Sequence, residues 1–218
     1  MQTIVIIGAG PGLGLSLARQ FGSHGFRVAL LARKRETLEA SLQQLRTVEA
    51  AGFQTDIKDP DRLQETLRKV KETYGSVDVL CYNRGPSDSS ELASVLDLTY
   101  ENVQEQLLNH IQGAVASVQE VLPDMLTRGS GTLFFITGVS SVAPIPAIAN
   151  VGIAMAGLRN YAQNLREVLT EKGIYVGHLI VATGMRPRIP VGADPDRAAA
   201  LIYEMCQKKE QMEATFRG

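Results

Sequence analysis

Seven residues near the start of the chain, Gly8-Ala9-Gly10-Pro11-Gly12-Leu13-Gly14, carry the first chemistry legible in it. Glycine lets a backbone turn sharply and come close to a bound group. When a helix begins directly after such a turn, its unpaired N–H groups face outward and attract an anion, above all a phosphate. The apolar run Ile4-Val5-Ile6-Ile7 enters the cluster, and a helix-compatible stretch starting at Leu13 leaves it. Strand, glycine turn and helix are together the parts of a dinucleotide phosphate site. Position 13, where the commoner Gly-x-Gly-x-x-Gly pattern would set its last glycine, is Leu13. A second cluster, Arg33-Lys34-Arg35, offers cations that can bind phosphate, or can simply form a solvated helix start.

The surrounding elements must hold these groups in place. The chain has 218 residues, 44% hydrophobic and 21% charged, with net charge -1, which fits an ordinary globular protein. Near-neutral charge argues against a nucleic-acid or anionic-membrane footprint, and the apolar runs are strand-length rather than membrane-length. Cys81 and Cys206 lie far apart and match no metal spacing, so they read as reduced thiols in a cytoplasmic protein.

Apolar runs predict strands at 4–7, 26–31, 53–56, 77–82, 131–137 and 174–181, with a last edge strand within 211–217. Between them, a helix with Leu38, Leu42 and Leu45 on one face should end at Gly52. Others should span about 59–74, 100–122, 149–171 and 195–208, with Asp59-Pro60-Asp61 starting the first of these and Gly75 stopping it. This alternation predicts an α/β fold: one Rossmann-type, doubly wound parallel sheet with helices on both faces, in a single domain over 1–218.

The order of these signals resembles the short-chain dehydrogenase/reductase family over essentially the whole chain. The resemblance is carried by GAGPGLG, by Asp56-Ile57-x-Asp59-Pro60, by Gly75-Ser76-Val77-Asp78-Val79-Leu80, and by Leu122-Pro123-x-Met125 ahead of GTLFFIT. It implies that Gly8, Gly12, Leu13 and Gly14 hold a cofactor pyrophosphate and that Asp56 contacts the adenine. The family's Asn-Asn-Ala-Gly motif lines the ribose side; here it reads Tyr82-Asn83-Arg84-Gly85, which keeps Asn83 and Gly85. NAD users carry an acidic residue after strand two, whereas this chain has Ala32 followed by Arg33. A guanidinium can bind a 2′-phosphate, so NADP(H) is expected over NAD(H).

Catalytic members of the family use Asn, Ser, Tyr and Lys. The matching positions here read His110, Gly138, Val151 and Met155, and no Tyr-x-x-x-Lys occurs anywhere in the chain. Valine and methionine move no proton, so no residue is assigned a catalytic role. Tyr82, Arg84, Ser140, Ser141 and His110 are the possible substitutes, with a relay through His110 and Ser140 conceivable. The family's Pro-Gly pair after strand six is replaced by Val181-Ala182. A short basic loop, Thr183 to Pro195 with Arg186 and Arg188, should cover the substrate. The resemblance also implies a homodimer or homotetramer built on the 100–122 and 149–171 helices. Two readings follow: an NADP(H)-dependent oxidoreductase on an unknown carbonyl or alcohol through an atypical site, or a catalytically inactive nucleotide-binding or interaction module.

Overall fold

Parallel strands covered on both faces need near-continuous apolar sequence, and β1 (Thr3–Ile7) has it, with all five residues buried. In the computed structural model, which describes residues 1–85, 89–182 and 194–217, six further strands join it. They are β2 (Arg27–Ala32), β3 (Ala50–Gln54), β4 (Val79–Tyr82), β5 (Gly131–Gly138), β6 (Ile174–Val181) and β7 (Glu213–Phe216). The sheet order is β3-β2-β1-β4-β5-β6-β7, and every neighbouring pair is parallel. Strand addition reverses between β1 and β4, and such a reversal opens a crevice at the carboxyl ends of the strands.

Among the described residues, seven α-helices cover the two faces: α1 (Leu13–Ser23), α2 (Arg35–Gln43), α3 (Pro60–Tyr74), α4 (Tyr100–Leu107), α5 (Gly113–Arg128), α6 (Ala149–Leu169) and α7 (Pro195–Lys208). Alternate residues of β1 feed separate cores. Ile4 and Ile6 pack with Leu17, Phe21 and Ile202 on the α1/α7 side. Val5 and Ile7 pack with Leu63, Val118 and Leu158 on the α3/α5/α6 side. Local chemistry sets the helix ends. Asp59 accepts the Arg62 N–H at 3.0 Å and Pro60 takes the first turn, while Gly75 ends α3 at φ 87°. No described helix is long and apolar enough to cross a membrane.

Four sequence expectations are corrected. The third strand lies at Ala50–Gln54 rather than 53–56. Gly52 does not end the preceding helix, which stops at Gln43; it pairs with Leu30 inside the sheet. A Cβ there would lie 3.1 Å from the Leu38 Cβ, so Gly52 lets α2 pack tightly on β3. The helix expected at 100–122 is interrupted: α4 passes through one π turn, Leu108–Gln112, before α5 continues to Arg128. The helix expected to reach 171 ends at Leu169, followed by one 3-10 turn.

Candidate functional site

The glycine turn sits at the carboxyl end of β1, beside the sheet reversal. Its four glycines divide by physical need. Gly8 has φ 85°, and a Cβ there would run into the Asn83 carbonyl. A Cβ on Gly14 would lie 2.8 Å from the Gly8 oxygen, so this glycine lets α1 approach the strand. Around Gly10 and Gly12 a Cβ would meet nothing within 4 Å. Gly12 caps α1 without any side-chain hydrogen bond and no acidic residue sits in the first turn. The turn therefore presents bare backbone and an uncapped helix start to open space, the shape and charge that a pyrophosphate needs. Leu13 is half-buried against the α1 core.

The other expected cofactor residues lie just past the carboxyl ends of β2, β3 and β4. Arg33 is exposed just after β2. Lys34 caps α2, and Arg35 is paired with Glu39 at 2.8 Å. Asp56, just after β3, uses Oδ1 to accept the Lys58 N–H at 3.0 Å. Asn83 ties β4 to the glycine turn: its N–H donates to Ile7 O at 2.9 Å and its Nδ2 to Gly8 O at 3.2 Å. Gly85 is exposed.

Arg84 is not a free cation. Its Nη2 donates to Glu91 Oε2 at 2.8 Å, and the two side chains are only 10% and 14% exposed. The Glu91 carbonyl accepts Asn150 Nδ2 at 2.8 Å and Gln106 Nε2 at 3.2 Å, while Asn150 Oδ1 accepts the Ala93 N–H at 2.9 Å. This network ties the segment around Glu91 to Arg84, just past β4, and to α4 and α6. Sequence reasoning did not single out Glu91, Gln106 or Asn150, which carry no motif or periodicity of their own.

Of the four positions that the resemblance aligns with the family's catalytic residues, Gly138 and Met155 meet directly. Val151 and Met155 are buried on α6. The Met155 sulfur accepts the Gly138 N–H at 3.1 Å and the Ser140 hydroxyl at 3.5 Å. His110 lies in the π turn, fully buried, and neither ring nitrogen has a partner among the described residues. Burial, with some help from the Arg84 charge, pushes its pKa down to about 3, so the ring is neutral at physiological pH. Burial likewise raises the Tyr82 hydroxyl far above its ordinary value. The structure does not connect His110 to Ser140. The loop at 183–195 expected to cover the substrate lies largely outside the described residues.

The sequence model of the short chain dehydrogenase family matches residues 2–189. The chain belongs to that family of oxidoreductases, and the parallel sheet with its glycine turn is the family's architecture. Among its relatives, a 3-oxoacyl-(acyl-carrier-protein) reductase of Staphylococcus epidermidis is 26% identical over 178 residues, 80% of this chain and 72% of that protein. An uncharacterized oxidoreductase of Staphylococcus aureus is 25% identical over 211 residues, covering 93% and 90% of the two chains. Among solved structures, an actinorhodin polyketide ketoreductase variant with NADPH superposes with a TM-score of 0.88, at 23% identity over 100% of this chain and 96% of that one. A short-chain dehydrogenase from Novosphingobium aromaticivorans has a TM-score of 0.90 at 19% identity, covering 98% and 79%.

Proposed function

We propose that the protein is a single-domain, NADP(H)-dependent oxidoreductase acting on a carbonyl/alcohol pair through an atypical site. The observation that carries this reading is the bare backbone at Gly10 and Gly12, around which a Cβ would meet nothing within 4 Å. There the turn Gly8 to Gly14 would hold the pyrophosphate, with Leu13 beside it. Asp56 would meet the adenine, and Asn83 and Gly85 the ribose side. Arg33 would take the 2′-phosphate, in a guanidinium–phosphate pair of the strong, charge-assisted kind. Two structural neighbours, the ketoreductase and a metagenomic short-chain oxidoreductase, were solved with NADPH and NADP respectively. When bound, the nicotinamide group supplies or accepts a hydride. The chain must place the substrate, exclude water and handle the accompanying proton.

A specific observation favours a second reading. Val151 and Met155, which the resemblance aligns with the family's tyrosine and lysine, are buried apolar side chains. A chain that binds NADP(H) without turning it over would need no more. We also propose assembly as a homodimer or homotetramer through α4, α5 and α6, and a reducing, cytoplasmic location, which suits the buried free thiols of Cys81 and Cys206.

Calorimetric titration with NADPH and NADH, followed by NADPH consumption with a panel of carbonyl compounds, separates these readings. Tight NADPH binding with consumption supports the enzyme. Binding without consumption supports the second reading. Absence of binding to either dinucleotide overturns both.

A further inference from the structure

A hydrogen-bonded chain of residues outside the four family positions ends at one of them, Gly138. His178, on β6, is fully buried. Its Nδ1 lies 2.9 Å from Glu213 Oε2 on β7, and its Nε2 lies 2.8 Å from Thr137 Oγ1 on β5. Thr137 Oγ1 is 2.9 Å from Ser141 Oγ, which donates to the Gly138 carbonyl at 2.8 Å. At the other end Arg159, from α6, donates Nε and Nη2 to the two Glu213 oxygens at 2.7 and 3.1 Å. Among the described residues, Glu213 from β7 and Arg159 from α6 are the charged groups that face the ring; β5 offers a hydroxyl.

At rest this chain holds one hydrogen fewer than its contacts need. Arg159 holds the Glu213 carboxyl below its usual range, so it is ionised and accepts from Nδ1–H. Burial holds His178 below its usual value, against the pull of Glu213, so the resting ring is neutral and Nε2 carries a lone pair. Three contacts remain: Nε2 with Thr137, Thr137 with Ser141, and Ser141 with the Gly138 carbonyl. Thr137 and Ser141 bring one hydroxyl hydrogen each, so one contact is always unfilled. A single added proton fills it. Nε2–H then donates to Thr137, Thr137 to Ser141, and Ser141 to the carbonyl.

We propose that Ser141, Thr137, His178 and Glu213 form a proton-accepting relay that opens at Gly138 and supplies the base this site lacks at Val151 and Met155. The inference rests on the oxidoreductase reading above, since a base takes the hydroxyl proton of an alcohol whose carbon gives up hydride. A proton arriving on Ser141 Oγ sends the serine's own hydrogen to Thr137 Oγ1, and the threonine's hydrogen to His178 Nε2. The net change is one proton moved from the site to the imidazole; no other bond changes and no electron is transferred. Glu213 fixes the tautomer and then faces the imidazolium it stabilises, as the acidic member of a hydrolytic triad does. Ser141 meets the reacting hydroxyl; His178 and Glu213 are positioning residues acting through it.

Nitrogen-15 NMR of histidine-labelled protein tests the relay, because the chain holds only three histidines. His178→Gln identifies the resonance, and His24→Gln with His110→Gln does so by exclusion if that variant fails to fold. The neutral ring should carry its hydrogen on Nδ1. Ser141→Ala removes the link that completes the filled chain, so the His178 midpoint should fall by about half a pH unit, roughly threefold in proton affinity. Ser141→Thr should restore it and Ser140→Ala should leave it in place. Equal midpoints in wild type and Ser141→Ala overturn the relay, as does a neutral ring protonated on Nε2 or one that stays neutral down to acid unfolding. NADPH titration of the same samples keeps the failures apart. Lost binding with intact coupling removes the cofactor reading, whereas intact binding without coupling removes the relay.

Discussion

The hydroxyl of Tyr82 occupies the space in which Gly113 would carry a Cβ, and it donates to the Asn109 carbonyl four residues earlier. A β4 side chain is thus inserted into the helical ladder, which responds with the π turn at Leu108–Gln112. Alanine in place of a mid-helix glycine ordinarily stabilises by about 0.5–1 kcal/mol. At Gly113 the clash should reverse the sign, giving a loss of about 1–3 kcal/mol in urea unfolding. In a Tyr82→Phe background the loss should shrink, because the blocking oxygen is gone. Equal losses in both backgrounds would place the strain elsewhere.

Gly10→Ala adds a methyl group to open space. Unfolding free energy should stay within about 0.5 kcal/mol of wild type, while calorimetric NADPH affinity should drop at least about tenfold, or 1.4 kcal/mol. Unchanged affinity would remove the pyrophosphate from this turn.

Arg33→Ala should weaken NADPH by about 1.5–3 kcal/mol, the range for hydrogen bonds to charged groups, and leave NADH nearly unaffected. A parallel loss for both dinucleotides would mean that Arg33 shapes the turn rather than reading the 2′-phosphate.

His110 binds a proton near pH 6.5 when unfolded, but in the folded chain its pKa is held down to about 3. Between those values the unfolded chain carries the extra proton, so stability falls as pH drops through this window. From pH 7 to pH 5 the single-residue contribution is about 2 kcal/mol, at 1.36 kcal/mol per pKa unit. Urea unfolding of His110→Asn should show a shallower decline than wild type over that range. Matching slopes would mean that the ring is solvated or paired.

Most of the fold was legible because its signals were strong and local. β1 beyond Thr3 is an uninterrupted apolar run and β6 is broken only at Gly177 and His178, and Asp59, Pro60 and Gly75 mark helix ends by well-defined chemistry. β3 was misplaced because Ala50-Ala51-Gly52 lacks the β-branched and aromatic residues that announce a strand; its place is set by contact with α2. The π turn was invisible because its cause, Tyr82, lies far away in sequence. At the site, the glycine turn could be read, but the Arg84–Glu91 pair and the relay around His178 could not. Each joins residues from separate elements, and only a lone histidine inside the apolar run of β6 hinted at the second.

The division of labour within the glycine turn bears on how such a chain can drift over generations. Gly8 and Gly14 answer to packing, so the fold would retain them in a descendant that had abandoned its ligand. Gly10 has no neighbour to offend. Once binding ceased to matter, it would be free to become any small residue with little effect on folding. Its identity along a lineage would therefore keep a record of whether the crevice was still in use.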